Sequence, residues 1–194
     1  MPTPRLRVVN TVLVIAIIGL NMYTILFPLW PMLPFWANNI SQTRQKALSR
    51  TIHEPLQQTD TAATRLIIPA MQLDATIHEV SSLRTIRNDI WRRPNSSTPD
   101  KGGNTVLVGH RFTYSNPTGV LYHLDKLHLT DEIAITWQAK RYVYRVTDIK
   151  IVAPSDTTVE APTVTPQLTL YTCTPLWNPT HRLVVTAKLE RTYE

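Results

Sequence analysis

The run from Val8 to Leu29 holds 22 residues and no charge, and no other stretch limits so strongly what this chain can become. In lipid every backbone N–H and C=O must find its partner within the segment, which leaves a helix as the solution for a single run. At about 1.5 Å per residue that helix is about 33 Å long, a match for a bilayer core of about 30 Å. Arg5 and Arg7 precede the run and the next charge is Arg44, a bias that keeps the N-terminus inside. A cleavable signal peptide is the competing reading. Its apolar region is about 7–15 residues long and ends in small residues at a cleavage site. Here Phe27-Pro28-Leu29-Trp30-Pro31 follows instead, and Trp30 and Trp36 suit an aromatic belt at the outer interface. The chain therefore divides into a cytoplasmic tip at 1–7, an anchor at 8–30, a stalk at 31–63 and an extracellular domain at 64–194.

The stalk is assigned on composition. Asn38, Asn39, Ser41 and Gln42 open it and Gln57, Gln58, Thr59 and Asp60 close it, with Thr43 to His53 able to form a helix between them. Such a segment lifts a domain off a membrane. Of 20 basic residues two, Arg5 and Arg7, flank the anchor; the remaining 18 against 14 acidic residues leave an excess of four. That is too little, and too scattered, for a nucleic-acid surface. It suits anionic lipid or cell-wall polymer better. The single cysteine excludes an internal disulfide and a thiolate metal cluster. No acidic cluster reads as a calcium site, so neither metal nor cofactor is expected.

Past Thr64 the apolar residues come in short bursts separated by turn residues. Leu66-Ile67-Ile68-Pro69 and Met71 to Ala75 read as two strands around a proline break. Asn104–Gly109, Glu132–Trp137, Arg141–Ile151, Leu168–Tyr171 and Arg182–Leu189 continue the series. Tyr142, Tyr144 and Val146 alternate with Val143 and Arg145, the period of a half-buried strand. Trp137 to Arg141 reads as a hairpin turn, and Leu121 to His128 as a short helix with Leu121, Leu124 and Leu127 on one side. Many short strands and few helices favour an all-β domain closed, or nearly closed, into a barrel.

Three residues stand where such strands end. Cys173 closes Thr169-Leu170-Tyr171-Thr172-Cys173-Thr174-Pro175; His110 follows Thr105-Val106-Leu107-Val108-Gly109; Arg182 opens Arg182-Leu183-Val184-Val185. Taken singly, each has a bland reading: a small buried apolar thiol, a satisfied structural histidine, a solvated arginine. Two features weigh against it for Cys173. The strand ends among Thr172, Thr174 and Pro175, and an unpaired thiol outside the cell is exposed to oxidation. Glycine before His110 permits close backbone approach. Thiol, imidazole and guanidinium together are the parts of covalent acyl transfer.

In these motifs the chain resembles the sortase family of cysteine transpeptidases. Thr169, Leu170, Thr172 and Cys173 match the fixed positions of its T-L-x-T-C motif. Gly103 through His110 matches its G-N-x-x-x-x-G-H run, and Arg182 its strand-opening arginine. Leu66 to Pro69 and Leu124 to Leu127 extend the likeness over about Thr64 to Leu189. The resemblance implies an eight-stranded β-barrel with short helices. It also implies that Cys173 attacks a threonyl carbonyl in an LPxTG-like C-terminal sorting signal of a secreted protein, forming a thioester. His110 then acts as general acid and base, Arg182 holds the substrate and its oxyanion, and Thr172 and Thr174 contact the substrate. The acceptor is an amine of peptidoglycan or of a pilin. Segments 112–121 and 159–167 are expected to wall the groove. Cys173 to Leu183 is similar to pilin-polymerising members, but no Asp-Pro-aromatic lid motif precedes the barrel, which points equally to the smaller class D or E enzymes. A papain-like peptidase would place its cysteine before its histidine, the reverse of the order here. A membrane-tethered barrel that only binds a wall component is the remaining alternative.

Overall fold

The computed structural model describes residues 4–27, 39–56, 63–80, 89–113, 117–176 and 178–194. Helix α1, Pro4–Leu26, is exposed along its length and is long and apolar enough to cross a membrane. Trp30 and Trp36, the expected interface belt, lie outside the described residues. Helix α2 is Asn39–His53. Eight strands follow: β1 Arg65–Ile68, β2 Leu73–His78, β3 Ile90–Arg92, β4 Asn104–Val108, β5 Glu132–Trp137, β6 Lys140–Val152, β7 Gln167–Thr174 and β8 His181–Tyr193.

They close into a barrel in the order β1-β2-β3-β4-β7-β8-β6-β5, with β1 pairing β5 to complete the ring. Closure removes the free edges that an open sheet would expose. The contacts β2–β3 and β4–β7 are parallel and the others antiparallel. The interior is filled by Leu66, Ile68, Leu107, Ile133, Ile135, Tyr144, Leu168, Leu170 and Val185, among others. Each alternates along its strand with a residue facing outward.

The expected turn at Trp137 to Arg141 is the tight connection between β5 and β6, where Trp137 pairs with Lys140. Gln138 and Ala139 both adopt left-handed backbone, with φ of 48° and 58°. That geometry matches the right-handed twist of a two-residue hairpin. The stretch Leu121 to His128, expected as a short helix, contains only the 3-10 turn Leu124–Lys126. Its leucines recur every third residue, the repeat of a 3-10 helix, and Leu121, Leu124 and Leu127 all enter the core. Strand β3 carries no alternation that would announce it. Three residues suffice because β2 and β4 flank it on both sides.

Part of the segment assigned as a stalk is packed against the barrel. Leu48 and Ile52 of α2 are buried against Ile67, Ala134 and Val143, residues on the outward faces of β1, β5 and β6. Arg141, 1% exposed, donates from Nη1 to the carbonyls of Thr51 and Glu54 at the end of α2. These are carbonyls that a helix C-terminus leaves without internal partners. Ile52 is fully buried, so Ile52→Ala is expected to lower stability by about 2–5 kcal/mol. Urea unfolding of the two proteins measures the difference; a loss within error would mean that α2 contributes nothing to the fold.

Candidate active site

Two neighbouring ladders bring the strand-end residues together. In the antiparallel pair β7–β8, Cys173 stands directly opposite Arg182, so both side chains leave the sheet on the same face. Arg182 donates from Nη1 to the Cys173 sulfur at 3.3 Å. On the other side of β7, parallel strand β4 ends at Val108, paired with Tyr171. His110 lies two residues beyond. Period-two alternation turns Thr172 and Thr174 inward, where both are buried, and leaves Cys173 half-buried on the opposite face.

Cys173, His110, Arg182 and Thr172 line one cavity of about 280 Å³. Trp91 and Arg93 wall it at the end of β3, Tyr171 on β7, and Asp156, Val159 and Glu160 on the connection between β6 and β7. Of the expected groove segments, 159–167 contributes Val159 and Glu160, while none of the described residues of 112–121 lines this cavity. Thr174 does not line it either. Its hydroxyl accepts a hydrogen bond from Arg111 at 2.9 Å inside the fold. The Thr172 hydroxyl donates to the Gly109 carbonyl at 2.8 Å, tying the two strand ends together.

Part of the cavity lining is a connected polar set. Arg93 lies over the Trp91 ring at 5.0 Å and pairs with Glu160 at 3.0 Å. The other Glu160 oxygen accepts from the Tyr171 hydroxyl at 2.6 Å. Burial, with the Glu160 carboxylate beside it, pushes the Tyr171 hydroxyl well above its usual range. Tyr171 therefore stays neutral and keeps donating.

Burial also pushes His110 below its ordinary value, which leaves a neutral imidazole at neutral pH, able to accept a proton. Its backbone carbonyl accepts from the Leu121 N–H at 3.0 Å. Gly119 closes over the same carbonyl: a Cβ there would stand 2.4 Å from the His110 oxygen and 2.6 Å from the Arg111 carbonyl carbon. Because the obstacle is backbone, Gly119→Ala must displace the His110 turn. We expect at least a tenfold loss of turnover and a stability loss of about 1–3 kcal/mol, read by kinetics and urea unfolding. Parent-like values in both would show that the turn has room to move.

Behind the site, burial drives His123 down to about 4. The folded protein refuses a proton that the unfolded chain accepts below pH about 6.5, so stability falls as pH drops through the window from about 6.5 to about 4. Allowing for solvent that reaches the ring, the loss is about 1–2 kcal/mol by pH 4.5. His123→Gln is expected to flatten that acid limb in unfolding curves taken between pH 7 and 4.5; an unchanged limb would assign it elsewhere.

Comparison with known proteins gives the family and the fold. A sequence model of the Sortase domain matches residues 66–190. Sortase SrtE1 of Streptomyces coelicolor is 32% identical over 104 residues, 48% of this chain and 29% of that protein's length. A Clostridium perfringens sortase D5 transpeptidase superposes with a TM-score of 0.59 at 27% identity, over 75% of this chain and 88% of its own. Sortase E1 from Streptomyces coelicolor, crystallised with a tripeptide in its active site, gives a TM-score of 0.60 at 25% identity, over 71% of this chain and 93% of its own.

Proposed function

The chain belongs to the sortase family, and we propose that it is a cysteine transpeptidase, anchored by α1 with its N-terminus inside and its barrel at the cell surface. The observation that carries this reading is the Arg182 N–H on the Cys173 sulfur, in a cavity that His110 also lines. The thiol proton passes to the neutral His110 imidazole as sulfur attacks the peptide carbonyl. Arg182 moves its N–H donors to the oxygen that becomes negative, in a cavity where water is partly excluded. The tetrahedral adduct collapses to a thioester as His110 returns the proton to the departing amine. An incoming amine then attacks the thioester and gives its proton to His110, which passes it to the departing Cys173 sulfur. The donor is a secreted protein with an LPxTG-like C-terminal sorting signal; the acceptor is an amine of peptidoglycan or of a pilin. Thr172 shapes the pocket by fixing the Gly109 carbonyl.

The test is intact-mass spectrometry of the full chain in detergent with a library of LPxTG-like peptides. An acyl adduct that fragmentation places on Cys173, and that added amine converts to an amide, supports the proposal. Release of acid alone with amine present would mean a hydrolase. No adduct from any peptide, on a thiol that also resists a methanethiosulfonate reagent, would leave a binding barrel.

A further inference from the structure

The geometry points to Arg111 as a positioning residue that holds the strand ends bearing His110 and Cys173 in register, braced from behind by Asp125. Every backbone pair of β4 and β7, from Asn104 with Gln167 to Val108 with Tyr171, has the same offset of 63 residues. The ladder stops there, yet the register does not. Thr172 donates to the Gly109 carbonyl and Arg111 donates to the Thr174 hydroxyl, and both bonds keep that offset of 63. His110 and Cys173 are the pair enclosed between them. Side chains thus continue the alignment of two strands past the point where the main chain lets go.

Arg111 is only 7% exposed, and a buried guanidinium is costly unless it is paired. Its Nη2 pairs with Asp125 at 3.2 Å, and its Nε donates to the Tyr122 carbonyl at 3.3 Å. Asp125 sits on the 3-10 turn Leu124–Lys126, whose Leu124 is fully buried in the barrel core. The clamp is therefore fixed to a turn that is anchored in the barrel core. Arg111 does not line the cavity, so it acts on the reacting groups through Thr174 and its own chain neighbour His110. Misplacing reacting groups by about 1 Å costs on the order of 100-fold in rate.

Its effect on catalysis rests on the transpeptidase reading; its effect on local order does not. The full chain is compared with Arg111→Gln, Thr174→Val and Thr174→Ser by peptide kinetics and by amide hydrogen exchange. In Arg111→Gln and Thr174→Val, kcat is expected to fall about 10- to 100-fold with KM within threefold. Exchange at 110–112 and 172–174 rises at least tenfold while the other strands keep theirs. Thr174→Ser, which retains the hydroxyl, recovers kcat to within about threefold of the parent. If Arg111→Gln fails to fold, the two Thr174 variants decide the matter. Unchanged local exchange in Thr174→Val overturns the clamp. So does raised exchange with an undiminished kcat, or a raised KM at constant kcat, which would make Thr174 a substrate contact. If the parent itself forms no acyl adduct, the transpeptidase reading falls, and the exchange rates alone support or overturn the clamp.

Discussion

With Cys173 replaced by alanine, turnover of sorting-signal peptides is expected to fall by on the order of 10⁴-fold or more, and no acyl adduct should form. The fold should barely register the change. The side chain is half-buried and sulfur is a weak acceptor. Arg182 retains its contact with the His181 carbonyl at 3.4 Å. Unfolding free energies of the two proteins should agree within about 1 kcal/mol. Chromatographic turnover assays and urea curves on the same preparations separate the two effects. A variant that keeps a tenth of the parent's rate would remove Cys173 from the nucleophile's role. Serine at this position is a harsher test of the chemistry than alanine, because it keeps an attacking group and loses only the easily ionised sulfur.

Arg182→Gln is expected to lower kcat by about 10²–10³-fold, the range seen when a donor to a developing oxyanion is removed. Lysine should rescue little, since a compact ammonium cannot present two parallel N–H groups to sulfur and oxygen in turn. The division between kinetic constants is informative. A fall in kcat at nearly constant KM assigns the guanidinium to the transition state. A rise in KM alone would make Arg182 a holder of the bound peptide and nothing more.

The trio at the strand ends was legible because each residue interrupts a local pattern. Cys173, His110 and Arg182 all stand where an apolar strand run begins or stops, and strand ends are where barrels present chemistry. The β5–β6 hairpin was legible for the same local reason, with five alternating positions on its second strand. Trp91 and Arg93 were not, and of Glu160 only its segment, 159–167, was expected to wall the groove. They come from a three-residue strand, the loop after it and a turn more than sixty residues later, and only barrel closure makes them one wall. Arg111 was in plain view beside His110, yet nothing in its neighbours tells that its partners are Thr174 and Asp125. Composition likewise could not tell that α2 is docked: a polar segment with a few scattered apolar residues, Leu48 and Ile52 among them, reads the same whether they find a barrel or water.

That docking fixes the length of the leash. With α1 in a bilayer and α2 packed on the barrel, the two helices are joined by residues 27–38, a far shorter stretch than 31–63. Even fully stretched, the chain from Leu26 to Asn39 reaches no more than about 45 Å. A transpeptidase tethered in this way works within a shallow shell above the lipid. On the transpeptidase reading, such a tether brings the site to a substrate's C-terminus near the membrane, and to lipid-borne acceptor amines sooner than to those deep in finished wall.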